Sequence, residues 1–534
     1  MTDRISPAAL KARIDGNDEL AILDLREEGE FAADHLLFAT NLSLSQLELD
    51  IYRRLPRRSV PIVLCDEAGS DRAPAAAKRL SALGYTRLEI LEGGLAGWRA
   101  AGYVSFSGMH VPSKAFGEFV EHWYDTPRLT ADELDARVAK GENLVILDSR
   151  PWDEYHRMNI PGGINCPGAE LAYRIDDLAP DPETTVVVNC AGRTRSIIGA
   201  QSLINAGILN PVFALENGTM GWHLAGHDLE RGAERRFSDL SGEARAAAAK
   251  RAEAVAARFG VSSIDMDGLA KWRAEAGMRS LYLVDVRDPA EYEAGHLAGS
   301  FNAPGGQLVQ ETNAYIGALG SRIALIDGDG VRATMTASWL IQLGWREVVV
   351  VRGALDAGPL VSGPYRPVLP ESDAPGPDAI DAATLAALLR DGDATVIDVG
   401  ASSDYRKGHV LGAWFALRAE LGEILESLPV TGELIFTSGQ GHLARYAVRE
   451  AERISGRPVR VLAGGNEAWR AAGLEMEDGD SRMASEPRDA WLKPYDRDDS
   501  QDEWMRQYLS WETALVEAVE RDGAARFRRF PGTT

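Results

Sequence analysis

The residues best suited to chemistry lie in one short segment, 186–196, which reads Val-Val-Val-Asn-Cys-Ala-Gly-Arg-Thr-Arg-Ser. Cys190 follows three valines typical of a buried strand, and an apolar stretch typical of a helix begins at Ile197. A cysteine at such a junction lies where backbone N–H groups converge and the helix dipole is positive. We therefore expect Cys190 to favour the thiolate and to attack an anionic donor that carries sulfur.

Polar and small residues complete the same loop. Arg193 and Arg195 stay charged at any working pH, and guanidinium forks match oxyanions, so both are candidates for binding substrate. Arg193 is the better candidate for substrate contact. The loop N–H groups should hold the sulfur carried on Cys190, and this predicted binding set consists of Ala191, Gly192, Thr194 and Ser196 together with the two arginines. Thr194 and Ser196 are also candidate hydroxyl donors, although Ser196 equally suits a helix cap.

The segment resembles the active-site loop of rhodaneses, which are sulfurtransferases that carry a persulfide on cysteine. From Cys190 to Arg195 the pattern is Cys-x4-Arg, the loop length of rhodanese-type sulfurtransferases, whereas related phosphatases use Cys-x5-Arg. The resemblance implies that Cys190 is the catalytic residue and that Arg195 rather holds the loop, because many rhodaneses have an arginine there. It implies no metal and no organic cofactor.

The loop belongs to a unit that occurs four times in the chain. Near the start of each unit an apolar strand ends in an aspartate, at Asp24, Asp148, Asp285 and Asp398. Eleven residues later come His35, Asn159, His296 and His409. The third unit carries the fullest version of a rhodanese segment, Glu-Tyr-Glu-Ala-Gly-His-Leu-Ala-Gly at 291–299.

Counting from each aspartate locates the position that corresponds to the cysteine. Cys190 lies 42 residues after Asp148, and the same interval leads to Asp66 and Asp327. In the fourth unit Ser438 follows a strand 40 residues after Asp398. Aspartate and serine are poor sulfur nucleophiles, so we expect the first, third and fourth units to be inactive as sulfurtransferases.

The predicted fold class is α/β, with four tandem rhodanese-like domains, each a parallel sheet covered by helices on both faces, and a helical C-terminal tail. The expected domains are 1–105, 129–232 (catalytic), 259–367 and 379–480. The expected connections are 106–128, which holds Lys114, a helix at 233–258 and a Pro-rich stretch at 368–378. The tail, 481–534, is acidic and then helical, and its apolar stripe should pack on the chain's own domains.

The other two cysteines, Cys65 and Cys166, are expected to pack in cores. Cys65 precedes the aligned position by one residue and should point to the opposite face of its strand, although a slipped loop would make it a second nucleophile or relay. Cys166 could resolve a persulfide only within disulfide reach of Cys190. Asp327-Gly-Asp-Gly lacks the remaining ligands of a calcium loop.

Composition narrows the functional classes. The chain has 534 residues and a formal net charge of −23, which disfavours nucleic acid and anionic membranes as partners. Three cysteines cannot form a disulfide framework, and neither a signal sequence nor a long apolar run is evident, so we expect a soluble cytoplasmic protein.

Three classes of function remain open at this point. The leading hypothesis is a sulfurtransferase of thiosulfate sulfurtransferase type, whose partners are a small-molecule sulfur donor and a thiophilic acceptor, with a sulfur-acceptor protein as a further candidate. Its alternative within enzymes is a transferase for organic persulfides from thiol breakdown. A binding or scaffold protein is the second class, because three units lack the nucleophile. A phosphatase or arsenate reductase is the third, and loop length disfavours it.

Overall fold

The computed structural model describes residues 2–69, 71–370, 377–456, 458–497 and 499–531. It contains four five-stranded parallel sheets, one in each of four consecutive units, with helices packed on both faces. This arrangement confirms the predicted α/β fold class. Of the predicted Pro-rich connection at 368–378, residues 371–376 lie outside the described part of the chain.

The first two units have the same element order. The strands of the first unit are β1 Asp3–Ile5, β2 Ala21–Asp24, β3 Thr40–Asn41, β4 Ile62–Cys65 and β5 Leu88–Leu91, and its helices are α1 Pro7–Asp15, α2 Glu28–Ala33, α3 Leu47–Arg54, α4 Arg72–Ala82 and α5 Gly94–Ala100. Helix α6, Val111–Tyr124, leads to the second unit. That unit has strands β6 Arg128–Leu129, β7 Leu144–Asp148, β8 Ile164–Asn165, β9 Thr185–Asn189 and β10 Val212–Leu215, and helices α7 Ala131–Ala139, α8 Trp152–Arg157, α9 Gly168–Leu178, α10 Thr194–Asn205 and α11 Gly218–Leu224.

Helix α12, Gly242–Phe259, leads to the third unit, which adds a short antiparallel pair to its parallel sheet. Its strands are β11 Ser262–Ile264, β12 Leu281–Asp285, β13 His296–Leu297, β14 Phe301–Asn302, β15 Arg322–Ile326, β16 Glu347–Val351 and β17 Leu360–Val361. Its helices are α13 Met266–Ala274, α14 Pro289–Ala294, α15 Gly305–Gln310, α16 Thr312–Tyr315, α17 Val331–Gln342 and α18 Ala354–Ala357.

The fourth unit repeats this plan and is followed by the tail. Its strands are β18 Ala379–Ile380, β19 Ala394–Asp398, β20 His409–Val410, β21 Trp414–Phe415, β22 Glu433–Thr437, β23 Val459–Leu462 and β24 Met476–Glu477. Its helices are α19 Ala382–Asp391, α20 Ser402–Lys407, α21 Leu421–Ser427, α22 His442–Ser455 and α23 Gly465–Ala471, and short 3-10 helices occur at Arg418–Glu420 and Pro494–Asp496. The last helix, α24, covers Gln501–Asp522.

The strand register places corresponding residues of the four units at one structural position. The strand-end aspartates pair with the last residues of the central strands, as Asp24 with Cys65, Asp148 with Asn189, Asp285 with Ile326 and Asp398 with Thr437. The next residue is Asp66, Cys190, Asp327 or Ser438, as the counting from each aspartate predicts.

The second and third units contact each other through a reciprocal pair of polar contacts. Arg195 of the second unit donates to Gln307 at 3.0 Å, and Arg332 of the third donates to Glu170 at 2.7 Å. A Cβ on Gly306 would lie 3.0 Å from the Gly168 Cα, so only glycines allow this approach. The third unit therefore packs directly beside the loop that carries Cys190.

The tail helix α24 packs against α6 through one face, where Met505, Leu509, Leu515 and Val519 are buried. Both helices lie outside the four sheets, and together they cover one side of the second unit. Among the described residues, no helix is long and apolar enough to cross a bilayer.

Candidate active site

Cys190 stands directly after the central strand β9 and before helix α10. The residue is only 2% exposed, and its Sγ lies 3.5 Å from Ser196 Oγ. Its carbonyl accepts hydrogen bonds from the Thr219 N–H at 2.8 Å and the Thr219 hydroxyl at 2.9 Å. These contacts fix the end of the strand, so the sulfur has a defined position in the wall of a cavity.

The corresponding loops of the first and third units show what their backbone can bind. The Asp66 carboxylate accepts hydrogen bonds from the N–H groups of Ala68, Gly69 and Ala73. The Asp327 carboxylate accepts them from Gly328, Arg332 and Ala333. In each case a negatively charged group lies where the loop N–H groups converge, which is the behaviour of an anion-binding nest.

In the second unit a cysteine replaces that carboxylate. Within the described residues, no protein acceptor pairs with the backbone N–H groups of residues 191–196. The same type of nest is therefore open beside Cys190, whereas an internal carboxylate fills it in the first and third units. An anion formed on the sulfur would meet the N–H groups that the two aspartates bind.

Arg193 binds protein carboxylates. Its guanidinium donates to both oxygens of Glu118 at 2.7 Å, to Glu121 at 2.5 Å and to Asn217 at 3.3 Å. Burial disfavours the charge, but the hydrogen bonds and charge of Glu118 leave the pKa of Arg193 above its ordinary value. The sequence favours Arg193 for substrate contact, whereas the structure uses most of its donors to attach the loop to α6.

Arg195 pairs with Glu154 and also faces the cavity. Its two terminal nitrogens lie 3.2 and 2.8 Å from the Glu154 oxygens. Equivalent pairs join Arg72 to Glu30 and Arg332 to Glu291 in units that lack the cysteine. The recurrence indicates that the pair holds the loop, while the charge of Cys190 also contributes to the raised pKa of Arg195, after burial and Glu154.

The hydroxyl groups of the loop donate to protein atoms. Ser196 is the third residue of α10, whose N-cap is Arg193, and its hydroxyl donates to the Arg193 carbonyl at 2.8 Å. Thr194 donates its hydroxyl to Glu512 Oε1 at 2.6 Å. The same oxygen lies 3.4 Å from Lys114 Nζ, and Glu512 is 0% exposed. One carboxylate of the tail thus connects the loop to α6.

The cavity beside Cys190 has a volume of about 320 Å³, and five parts of the chain line it. The loop supplies Cys190, Ala191, Gly192, Arg193, Thr194 and Arg195. The other parts are the first unit (Glu28, Arg54), α6 and the residues before it (His110, Lys114), the third unit (Gln310, Glu311) and the tail (Trp491, Lys493, Tyr495, Tyr508). The units without the cysteine therefore contribute to the walls of the site.

Cys65 and Cys166 are both fully buried in apolar clusters. Burial raises the pKa of each thiol above its ordinary value, which favours the unreactive form. The strand register places Cys65 one residue before the aligned position, as expected for a packing residue. All three cysteines are free.

Sequence reasoning missed several residues of the site. Glu118, Glu512 and Lys493 carry charges that contact the loop or its partners, yet they lie 72, 322 and 303 residues from Cys190. Lys114 is noticeable in the sequence only as a cation in a connection between units. No local motif marks these positions, because they come together only when α6 and the tail pack on the second unit.

The fold and the loop together define a class of protein with four α/β units, in which one unit presents a cysteine after its central strand. A family model for the rhodanese-like domain matches residues 6–101, 130–225, 266–358 and 381–472. The chain belongs to the rhodanese-like family, and its four units are rhodanese-like domains. This confirms the resemblance inferred from the loop and from the repeats.

Proteins of known name show similar sequences. The crystal structure of a thiosulfate sulfurtransferase from Pseudomonas aeruginosa covers 99% of this chain and 100% of its own, with 50% identity and a TM-score of 0.96. Thiosulfate sulfurtransferase of Azotobacter vinelandii is 24% identical over 230 residues, which are 36% of this chain and 83% of that protein. An HTH-type transcriptional regulator of Mycobacterium tuberculosis is 35% identical over 105 residues, so the match spans 20% of this chain and 45% of the regulator.

Proposed function

We propose that the protein is an enzyme of the thiosulfate sulfurtransferase type that carries a sulfane sulfur on Cys190. The observation that carries the proposal is the contrast between equivalent loops. In the first and third domains an aspartate fills the nest, and in the second a cysteine stands beside N–H groups that have no acceptor within the described residues. The similarity to thiosulfate sulfurtransferases supports the same reaction.

The first step transfers sulfur from donor to enzyme. The Cys190 thiolate attacks the outer sulfur of thiosulfate and forms a new S–S bond. The original S–S bond of thiosulfate breaks, and its electron pair leaves with sulfite. The product is a persulfide anion on Cys190, and total charge and sulfur oxidation state balance. The N–H groups of residues 191–196 stabilise this anion.

The second step regenerates the thiolate. A thiophilic acceptor, such as cyanide, sulfite or a thiol, attacks the outer sulfur of the persulfide. The electron pair of the enzyme S–S bond returns to the Cys190 sulfur, and the sulfur leaves on the acceptor. The reaction requires no metal or organic cofactor, and a sulfur-acceptor protein could replace the small acceptor. A reducing compartment such as the cytoplasm suits the three free cysteines.

The loop residues have distinct roles in this scheme. The backbone of Ala191, Gly192, Thr194 and Ser196 contributes N–H groups to the nest. Arg195 faces the cavity and contacts the oxyanion of the donor, while it also holds the loop through Glu154. Arg193 keeps the loop on α6 through Glu118 and contributes positive charge to the cavity.

A second candidate is a transferase for organic persulfides, and the cavity favours it by size and lining. A space of about 320 Å³ is at the lower end of the range of pockets that bind small organic ligands. Trp491, Tyr495 and Tyr508 offer it aromatic surface. The chemistry on Cys190 would be the same, and only the leaving group would differ.

Mass spectrometry of the protein treated with thiosulfate tests the proposal. We expect one added sulfur on the peptide that contains Cys190 and none in Cys190→Ser, whereas Cys166→Ser should behave like the wild type. Sulfur only from organic persulfides would favour the second candidate. Sulfur on Cys65, or none on any cysteine with either type of donor, would overturn the assignment and favour a binding role.

A further inference from the structure

Two lysines that lie outside the four rhodanese-like domains reach the cavity beside Cys190. Lys114 comes from helix α6 and Lys493 from the tail, just before its short 3-10 helix. Each is attached to the catalytic loop through a shared carboxylate. Lys493 Nζ lies 3.2 Å from Glu154, which binds Arg195 at 2.8 Å, and Lys114 lies 3.4 Å from Glu512, which binds Thr194.

The two lysines differ in the charge that their partners leave uncompensated. Glu512 is buried and pairs with Lys114 alone among the cations, so that pair is neutral. Glu154 pairs with two cations, Arg195 and Lys493, so this cluster keeps one net positive charge at the wall of the cavity. A net cation beside a sulfur nucleophile attracts an anionic donor.

Lys493 also has the capacity to bind a ligand. An ammonium has three N–H donors, and Glu154 and Tyr495 accept two of those of Lys493. Within the described residues no acceptor takes the third. The side chain is 41% exposed and can adjust to a ligand, whereas Lys114 is 12% exposed and fixed between Glu512 and the Tyr508 ring.

We infer that Lys493 of the tail, together with Arg195, binds the oxyanion end of the sulfur donor and thereby selects anionic sulfane donors. This inference rests on the proposed function of Cys190. The donor would direct its sulfane sulfur to Cys190 and its oxyanion to the Lys493–Arg195 cluster, with Lys114 as a positioning residue behind Thr194. The tail is then part of the donor site.

Binding and kinetics of Lys493→Gln test the inference. In the Cys190→Ser background, where sulfur cannot transfer to the loop, we expect Lys493→Gln to weaken thiosulfate binding in calorimetry by about tenfold. In the active enzyme the KM for thiosulfate should rise by a similar factor, while kcat changes less than about threefold. Lys493→Arg should restore most of the affinity, because it keeps the charge.

Lys407→Gln is the matched control, because Lys407 is an exposed lysine of the fourth domain whose side chain is 76% exposed. It should leave the Kd and KM for thiosulfate unchanged. Unchanged Kd and KM in Lys493→Gln would overturn the inference, as would a loss confined to kcat. If the wild type forms no persulfide on Cys190, the proposed function fails, and the calorimetric comparison still decides whether Lys493 binds the anion.

Discussion

Thr194 donates its hydroxyl to Glu512 across 2.6 Å, which ties the catalytic loop to the C-terminal helix although 318 residues separate the two in sequence. The carboxylate also faces Lys114 at 3.4 Å, so it joins three segments that belong to none of the same secondary-structure elements. Its second oxygen, Oε2, is buried and has no partner among the described residues. The position of the loop therefore depends on the tail.

Replacing this carboxylate should destabilise the protein and slow the enzyme. In Glu512→Ala the Lys114 ammonium would stay buried without its counter-charge, a change that costs about 3–5 kcal/mol in buried ion pairs. We expect a lower thermal midpoint and slower sulfur transfer to Cys190 under saturating thiosulfate. Glu512→Gln, which keeps an acceptor for Thr194, should lose less activity than Glu512→Ala.

Glu517→Ala is the control on the same helix, because Glu517 is exposed. It should leave both the midpoint and the transfer rate unchanged. Equal behaviour of Glu512→Ala and Glu517→Ala would show that the tail does not position the loop.

Arg193 should resist replacement by lysine. Its guanidinium binds both Glu118 oxygens at 2.7 Å and Glu121 at 2.5 Å, a forked geometry that a single ammonium cannot reproduce. We expect Arg193→Lys to lower the thermal midpoint and the rate of persulfide formation, and Arg193→Met to lower both further. In Arg193→Met with Glu118→Gln, part of the lost stability should return, since one unpaired charge is removed. Wild-type rates in Arg193→Lys would contradict this role.

Helix α6 approaches the loop so closely that it needs a glycine. A Cβ on Gly117 would lie 2.8 Å from Thr194 Cγ2 and 3.1 Å from its Cα. Alanine favours a helix over glycine by about 1 kcal/mol, but overpacking costs about 1–3 kcal/mol, so Gly117→Ala should destabilise the protein and slow sulfur transfer. Gly422→Ala, in an exposed helix with no neighbour within 4 Å, should not. Equal midpoints for the two variants would disprove this steric requirement.

Much of the fold could be predicted from sequence because each unit carries a local signal. An apolar strand that ends in aspartate recurs at Asp24, Asp148, Asp285 and Asp398, and side chains alternate strictly along a strand. Counting from these points located Asp66, Cys190, Asp327 and Ser438, and the strand register of the structure confirms all four positions.

The partners of the loop could not be predicted in this way. Arg193 and Arg195 are equally conspicuous in the sequence, but their roles depend on which carboxylates reach them. Glu118 and Glu512 lie on helices outside the repeated unit, and helical spacing indicates only which face is apolar. The packing of α6 and the tail on the second domain decides which charges meet.

Stability should fall with rising pH because of Glu27, a buried residue at the start of α2. Burial raises the pKa of Glu27 from 4.5 to about 7, although Ser45 donates to its carboxylate at 2.6 Å. Between these two values the folded state holds a proton that the unfolded chain releases, so stability is full below about pH 4.5 and declines as pH rises through 7. The loss amounts to roughly 3 kcal/mol.

Glu27→Gln removes this ionisation while keeping the shape of the side chain. We expect its thermal midpoint to match that of the wild type near pH 5 and to exceed it at pH 8, because only the wild type then carries a charge in this buried position. Thermal melts of both proteins at several pH values measure the difference. A difference in midpoint that does not change between pH 5 and 8 would mean that Glu27 is ionised in the folded protein at both.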